Sequence, residues 1–546
     1  MIFPWIKKIP HADLDSLKPE DVLVQLDKEQ VVGKLAANVE RIRQIMGQPH
    51  DLVVRQLKLP QAEVALIYLS GLVDRISIEK ILDALLLERP QVEKAGIVLG
   101  GNLQKWQQSG MPIGEVSQEQ IMGGAIRGLL AGKTILVADN CKVALLLETK
   151  KWEERQVSEP EVESAVRGPR EGFVENINVN LSLIRRRLRH PNLRVERQII
   201  GDLSNTQVMI LYIEGLAPKS VLEELRSRLG RIKLDGVLES NYLEELIADA
   251  PFSVFPQVDA TERPDRVTAG LLEGRVALLT DGTPFALKLP MVFINYLQAV
   301  EDYYQNWILA FGLRLLRLLS LLIALLLPAV YVALTTYHQE MLPTSLAVSL
   351  AIQREHVPYP AVVEALAMQI IFEILVEAGL RLPKTLGQAV SIVGALVIGE
   401  AAVRAGLISE AMVIVVSATA ISSFLFPAYG LSLVIRLLRI PMIILSASLG
   451  LFGIFVGIML ILIHLVNLRS FGVPYLTGIA PFVPQSQGDI IMRAPWWKML
   501  RRPKITGYRD PIREKEGLKP GSSVDGREDL KELDAEISQE ERLRRK

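Results

Sequence analysis

One feature limits the fold more than any other: an apolar block from about Ile308 to Val466 follows some 300 residues of polar, globular-looking sequence. Inside the block, residues 387–406 read Gly-Gln-Ala-Val-Ser-Ile-Val-Gly-Ala-Leu-Val-Ile-Gly-Glu-Ala-Ala-Val-Arg-Ala-Gly. About 20 residues at 1.5 Å rise are enough to cross the hydrocarbon of a bilayer. Small residues recur at Gly387, Ser391, Ala395, Gly399, Ala402 and Gly406. Steps of three and four place them on one helix face, where backbones can approach closely. Glu400 and Arg404 stand four residues apart near the end of the stretch. A packing stripe together with an ion pair predicts an assembled helical bundle with a polar interior, since an inert anchor needs neither.

Four spans are predicted, at about 314–334, 387–408, 411–429 and 441–465, with Pro328 inside the first. Between the first two lies 359–382, apolar but interrupted by Glu364, Glu373, Glu377 and Arg381, which reads as a re-entrant or pore-lining segment buried among other helices. Arg314 and Arg317 at the mouth of the first span place the preceding head on the cytoplasmic side by the positive-inside rule, and the start of the chain lacks the apolar core of a secretory signal. Four crossings return the basic tail (Arg469, Arg493, Lys498, Arg501, Arg502) to the same side. They also leave Arg436 and Arg439 outside, against the rule. A fifth crossing would repair that and misplace the tail.

The head reads as two related α/β subdomains, 49–155 and 156–300, behind a charged helical leader at 1–48. Val54-Arg-Gln-Leu57, Ile67–Leu72 and Lys133–Leu145 recur as Glu196-Arg-Gln-Ile199, Leu211–Leu216 and Arg275–Leu287, at an offset of 142–144 residues. Constant order and offset predict an internal duplication. Asp139-Asn140 and Asp281-Gly282 are hairpin-turn signals within it. The helical membrane domain is set at 301–470, and 471–546 at a basic, partly disordered cytoplasmic tail.

The 61 Lys+Arg balance 61 Asp+Glu, and no basic stripe suits nucleic acid. A single cysteine, Cys141, excludes an internal disulfide framework and a Cys-based zinc site. Gly132-Lys133-Thr134 ends like a phosphate-binding loop, but Arg127 stands where that motif needs glycine, and a β-rich run follows instead of a helix. The six histidines do not cluster, and no catalytic signature occurs, so neither an enzyme nor a cofactor is expected.

The polar residues of the apolar block are the candidate site. Gln369, Glu373, Glu377 and Arg381 fall on one helical face. In a soluble helix they would be a charge ladder worth a few tenths of a kcal/mol per pair. Inside a membrane, carboxylates need water or partners, which favours an ion pathway or a subunit interface, with Glu364 nearby. Glu400 and Arg404 are as consistent with mutual neutralisation near the membrane edge as with pore lining. Glu262, Arg263, Asp265 and Arg266 read as a helix entry with local ion pairs, Asp265 being a plausible N-cap. The sharper alternative for them is a contact coupling head to membrane.

Gly168-Pro-Arg-Glu-Gly-Phe-Val-Glu175, Thr261–Arg266, Asp281-Gly-Thr-Pro-Phe285, Glu301-Asp-Tyr-Tyr304, Leu327-Pro-Ala-Val-Tyr331, Glu373–Pro383 and Gly387–Gly399 together resemble the A subunits of bacterial spore germinant receptors, the GerA family. The resemblance runs in order from about residue 50 to 505. It implies the inner membrane of a bacterial spore, a permease-like B subunit that senses the nutrient, and a lipoprotein C subunit. It also implies a ring of A subunits that conducts ions when germination is triggered. Two other readings stand beside it: a channel resembling stage V sporulation protein AF that amplifies ion release, and a non-conducting scaffold. The chain departs from the family pattern at Gln369, where Glu is usual, at Val376, where Arg is common, and at Glu400, where Gln is usual. Arg404 is also atypical.

Overall fold

The computed structural model describes residues 18–59, 63–87, 115–150, 159–160, 163, 165–381, 400–490, 492–502 and 512–513. The first half of the head contains α1 (Pro19–Leu26), α2 (Leu35–Met46), β1 (Leu52–Lys58), β2 (Glu63–Leu69), α3 (Arg75–Leu87), β3 (Val116–Glu119), α4 (Met122–Leu130), β4 (Thr134–Ala138) and β5 (Ala144–Leu147). The second contains α5 (Ile177–Arg187), β6 (Leu193–Ile200), β7 (Thr206–Ile213), α6 (Lys219–Arg231), α7 (Ser240–Ile247), β8 (Asp259–Thr261), α8 (Pro264–Leu272), β9 (Val276–Thr280) and β10 (Ala286–Leu289). The antiparallel sheets have the orders β1-β2-β4-β5-β3 and β6-β7-β9-β10-β8, one plan used twice.

The central strands are apolar on both faces because both faces are covered. In β2, Ala65, Ile67 and Leu69 pack toward α1, α2 and α4, while Val64, Leu66 and Tyr68 pack toward α3. Side chains repeat the plan too. Asn38 clamps Val32, accepting from its N–H at 3.0 Å and donating to its carbonyl at 2.6 Å. Asn180, 142 residues on, clamps Val174 at 2.8 and 2.5 Å. Asp139 and Asp281, in the two predicted turns, accept from Leu35 and Ile177 at the starts of α2 and α5. Asn140 and Gly282 take the positive φ these turns require, 62° and 89°. Gly132, also at positive φ, leads into β4, so the phosphate-loop near-miss is a strand start.

The supposed leader is part of the first subdomain. Val22, Leu26, Leu35, Val39, Ile42 and Met46 are buried in its core, because α2 is the counterpart of α5 and the repeat begins before residue 49. A buried Arg185–Asp51 pair, bidentate at 2.9 Å, joins the two halves.

The helical domain contains α9 (Trp307–Thr336), α10 (Thr344–Glu355), α11 (Ala361–Arg381), α12 (Glu410–Ser423), α13 (Tyr429–Leu449) and α14 (Leu451–Asn467). Among the described residues, α9 and α13 are long and apolar enough to cross a membrane, and α12 and α14 are shorter apolar helices. The expected single span at 441–465 is instead a helical hairpin. Gly450, at φ 62°, turns the chain back. A Cβ on Gly453 would lie 2.0 Å from the Leu445 carbonyl oxygen, and one on Gly457 2.4 Å from the Met442 sulfur. Hydropathy runs unbroken through Leu449-Gly450-Leu451, which hides the turn. The expected span at 411–429 ends at Ser423, and a new helix starts at Tyr429. Segment 359–382, expected to be re-entrant or pore-lining, holds the unbroken 21-residue helix α11, so it does not turn back within Ala361–Arg381.

Gly387, Ser391, Ala395 and Gly399 lie outside the described residues. Ala402 sits in a helical turn, Ala402–Arg404, and Gly406, at φ 66°, ends it, so these two do not continue one packing face. The start of the predicted tail is also folded. Tyr475, Leu476, Ile490 and Met499 are buried, and Tyr475 Oη donates to the Pro256 carbonyl at 2.7 Å. Apolar residues spaced among prolines anchor this segment to the head and bundle. The stretches 503–511 and 514–546 lie outside the described residues.

If the two asparagine clamps are equivalent, Asn38→Ala and Asn180→Ala each cost about 1 kcal/mol by removing the partner of both backbone groups of the clamped valine. Urea unfolding of the detergent-solubilised chain should show two losses of similar size.

Candidate functional site

Pro328 lies inside α9 and has no N–H to give, so the carbonyl of Ala324 one turn earlier loses its helical partner. Arg439 of α13 supplies the missing bond, donating from Nε to that carbonyl at 2.7 Å. Its Nη1 donates to Gln369 Oε1 of α11 at 2.8 Å, and its Nη2 to Ser423 Oγ of α12 at 2.8 Å. One guanidinium, 1 % exposed, therefore ties three other helices to its own. The planar fork suits three fixed acceptors as a lysine could not.

The network continues along α11. Gln369 Nε2 donates to Glu373 Oε1 at 2.9 Å, and Arg436 Nη1 donates to Glu373 Oε2 at 2.9 Å. The amide of Gln369 must point its oxygen at Arg439 and its nitrogen at Glu373, because Arg only donates and an ionised carboxylate only accepts. Glu373 thus pairs directly with Arg436 and reaches Arg439 only through Gln369, and these four residues carry one surplus positive charge. At the start of α11, Glu364 is 2 % exposed and accepts from both Ser409 N and Ser409 Oγ at 2.6 Å, and its other oxygen is buried with no hydrogen-bond partner among the described residues. Tyr331 Oη lies 3.4 Å from Ser409 Oγ.

The structure therefore brings Glu364, Gln369 and Glu373 into the bundle and leaves the rest of the predicted ladder outside. Glu377 and Arg381 pair with each other at 2.6 Å, their side chains 60 % and 79 % exposed. Glu400 and Arg404 form a second pair of the same spacing, also exposed. The sequence reading missed Arg436 and Arg439 as site residues, taking them for charges between two spans. They sit within α13, the first helix of the hairpin at Gly450.

The head meets the bundle through a second polar cluster. Arg263 pairs with Asp265 at 2.7 Å and donates to the carbonyls of Glu163 and Pro169 at 3.0 Å. Arg266 pairs with Glu163 and with Asp259, and Glu262 is buried, its carbonyl accepting from Phe173 N. Asp265 is not the N-cap expected. It lies in the first turn of α8, and Arg263 holds the cap position. Its carboxylate accepts from Tyr304 Oη at 2.8 Å. Two residues away, Asp302 is held by Arg314 and Arg317 of α9 at 2.9 Å. Arg314 also bonds Asp489, as does Tyr303 Oη.

Burial raises the Tyr303 and Tyr304 hydroxyls above the usual phenol range, with Asp489 and Asp265 adding to it. Burial pushes Asp259 up, but Arg266 and Lys288 outweigh it and hold the carboxyl low. The Glu301-Asp-Tyr-Tyr304 run, which the sequence offered only as part of the family resemblance, supplies Asp302, Tyr303 and Tyr304 to this joint. Arg314 and Arg317, taken as markers of sidedness, are its clasps.

No group of His, Cys, Asp and Glu suited to a metal occurs among the described residues. Removing Arg439 strands the Ala324 carbonyl, the Ser423 hydroxyl and the Gln369 amide together. Arg439→Met and Arg439→Lys should both lower stability by about 3 kcal/mol, read as loss of thermal midpoint in detergent, because charge alone does not restore the fork.

Comparison with known proteins agrees with the sequence resemblance. Residues 40–505 match the family described as Bacillus/Clostridium GerA spore germination protein. Spore germination protein KA of Bacillus subtilis is 44 % identical over 91 % of this chain and 91 % of its own length. An uncharacterized membrane protein of Bacillus subtilis, YfkQ, is 42 % identical over 89 % of this chain and 95 % of its own. A crystal structure of the N-terminal domain of the A subunit of the Bacillus megaterium spore germinant receptor GerK3 is 31 % identical. It covers 48 % of this chain and 98 % of that one, with a TM-score of 0.40. With a family match spanning head, joint and helical bundle, the chain belongs to the GerA family of spore germination proteins.

Proposed function

We propose that the chain is the A subunit of a spore germinant receptor, embedded in the inner spore membrane with its head and C-terminal segment on the cytoplasmic side. Copies of it assemble into a ring that opens an ion path when germination is triggered. A permease-like B subunit senses the nutrient, and a lipoprotein C subunit completes the receptor.

The observation that supports this reading is the polar string Gln369, Glu373, Arg436 and Arg439 in an otherwise apolar bundle, with the buried Glu364 at the start of the same helix. Ionisable groups in a membrane are costly and are retained where ions, water or partner helices use them. The departure Gln369 fits the string, because an amide can bridge an arginine donor and a carboxylate acceptor where a second carboxylate could not. The exposed pairs Glu377–Arg381 and Glu400–Arg404 support a water-lined path or a contact with a second copy, since lipid satisfies neither charge. The chain of contacts Asp265–Tyr304, Asp302–Arg314/Arg317 and Asp489–Arg314 offers a stiff route by which a movement of the head reaches α9.

Ion release from vesicles carrying the chain with its B and C subunits tests the reading. Germinant should trigger monovalent-cation flux, and Glu373→Ala should change its rate or selectivity at least several-fold. Absence of flux, or flux unaltered by both Glu373→Ala and Glu400→Ala, would overturn the pore assignment.

A further inference from the structure

Between α7 and β8 the chain makes a turn that is built to be rigid. The buried amide of Gln257 staples Ala250 at both ends, accepting from its N–H and donating to its carbonyl at 2.8 Å. Ser253 N closes the turn onto the Ala250 carbonyl at 3.0 Å. At its tip Phe252 is wholly exposed, and Val254 is exposed as well. A stapled turn that presents a phenylalanine to solvent wastes apolar area unless something covers the ring.

The position of the turn points to what does. Ser253 Oγ lies 2.8 Å from Nε2 of His464, in the last turn of α14, and the Phe255 ring packs 5.9 Å from the same imidazole. Along α14, Phe452, Phe455, Leu460, Ile463 and Val466 are exposed, forming an outward apolar surface that ends beside His464. Phe252 and Val254 thus flank a residue bonded to the end of that surface. The acidic residue of the turn, Asp249, is neutralised by Arg228. We infer that this turn dips into the acyl–headgroup boundary of the leaflet beside the head, so that lipid covers Phe252 and the second subdomain rests on the membrane. The inference rests on the membrane reading above. An aromatic ring at the interface, next to the end of an apolar helix, is the chemistry such a boundary favours.

Spin labelling of the full chain in phosphatidylcholine/phosphatidylglycerol vesicles tests it. In a Cys141→Ala background, Phe252→Cys, Leu203→Cys and Phe455→Cys each receive one nitroxide, and collisions with oxygen (lipid-soluble) and a nickel chelate (water-soluble) are compared. Oxygen collisions should exceed nickel collisions at positions 252 and 455, with the order reversed at 203, which is exposed on the head. If position 455 reports lipid while 252 behaves like 203, the turn does not insert. If 455 reports lipid and neither reagent reaches 252, protein such as a second copy covers the ring, and the inference is again wrong. If 455 itself reports water, the membrane reading fails first.

Discussion

The arrangement of the helical bundle depends on one carbonyl. Pro328 takes the helical hydrogen bond away from Ala324 in the middle of α9, and a bare carbonyl in an apolar bundle costs several kcal/mol. Arg439 answers it and, because a guanidinium has five donors in a plane, reaches Gln369 and Ser423 in the same act. Four helices are thereby fixed in register around one buried cation. The rest of the polar string follows, since Gln369 needs an acceptor for its amide and finds Glu373, whose second oxygen takes Arg436.

The second constraint is the joint between head and bundle. Asp302 receives both arginines from the first turns of α9, while Asp489 returns from the far end of the chain to the same Arg314. The helical domain is therefore closed at its head side by residues from before and after it. Tyr304 links this clasp to Asp265 at the start of α8, in the repeated unit of the head. Head, first helix and C-terminal segment form one polar connection without a flexible linker between them.

Much of this was legible in the sequence, and the failures have physical causes. Duplication could be read because strands and turns impose local patterns, and the 142-residue offset preserved even the asparagine and aspartate clamps. Glu364, Gln369 and Glu373 were singled out because polar groups in apolar sequence need partners, but the same argument took in Glu377 and Arg381, which stand exposed. The partners themselves were missed. Arg436 and Arg439 looked like loop charges, since a side chain's burial depends on which helix comes to meet it and one-dimensional hydropathy carries no such information. The turn at Gly450 was hidden for a related reason: leucines on both sides keep hydropathy high while a single backbone angle reverses the chain. The leader was separated from the head because its pairing with the first sheet spans long sequence distances.

The most direct measurement is a double-mutant cycle between Pro328 and Arg439 in the detergent-solubilised chain. Pro328→Ala returns an N–H to the helix and satisfies the Ala324 carbonyl internally, so Arg439 then has one acceptor fewer to serve. The account predicts that Arg439→Met costs less in the Pro328→Ala background, with a coupling of about 1 kcal/mol or more. Equal costs in both backgrounds would mean that the proline and the arginine act independently, and that the bundle is not organised around the carbonyl they share.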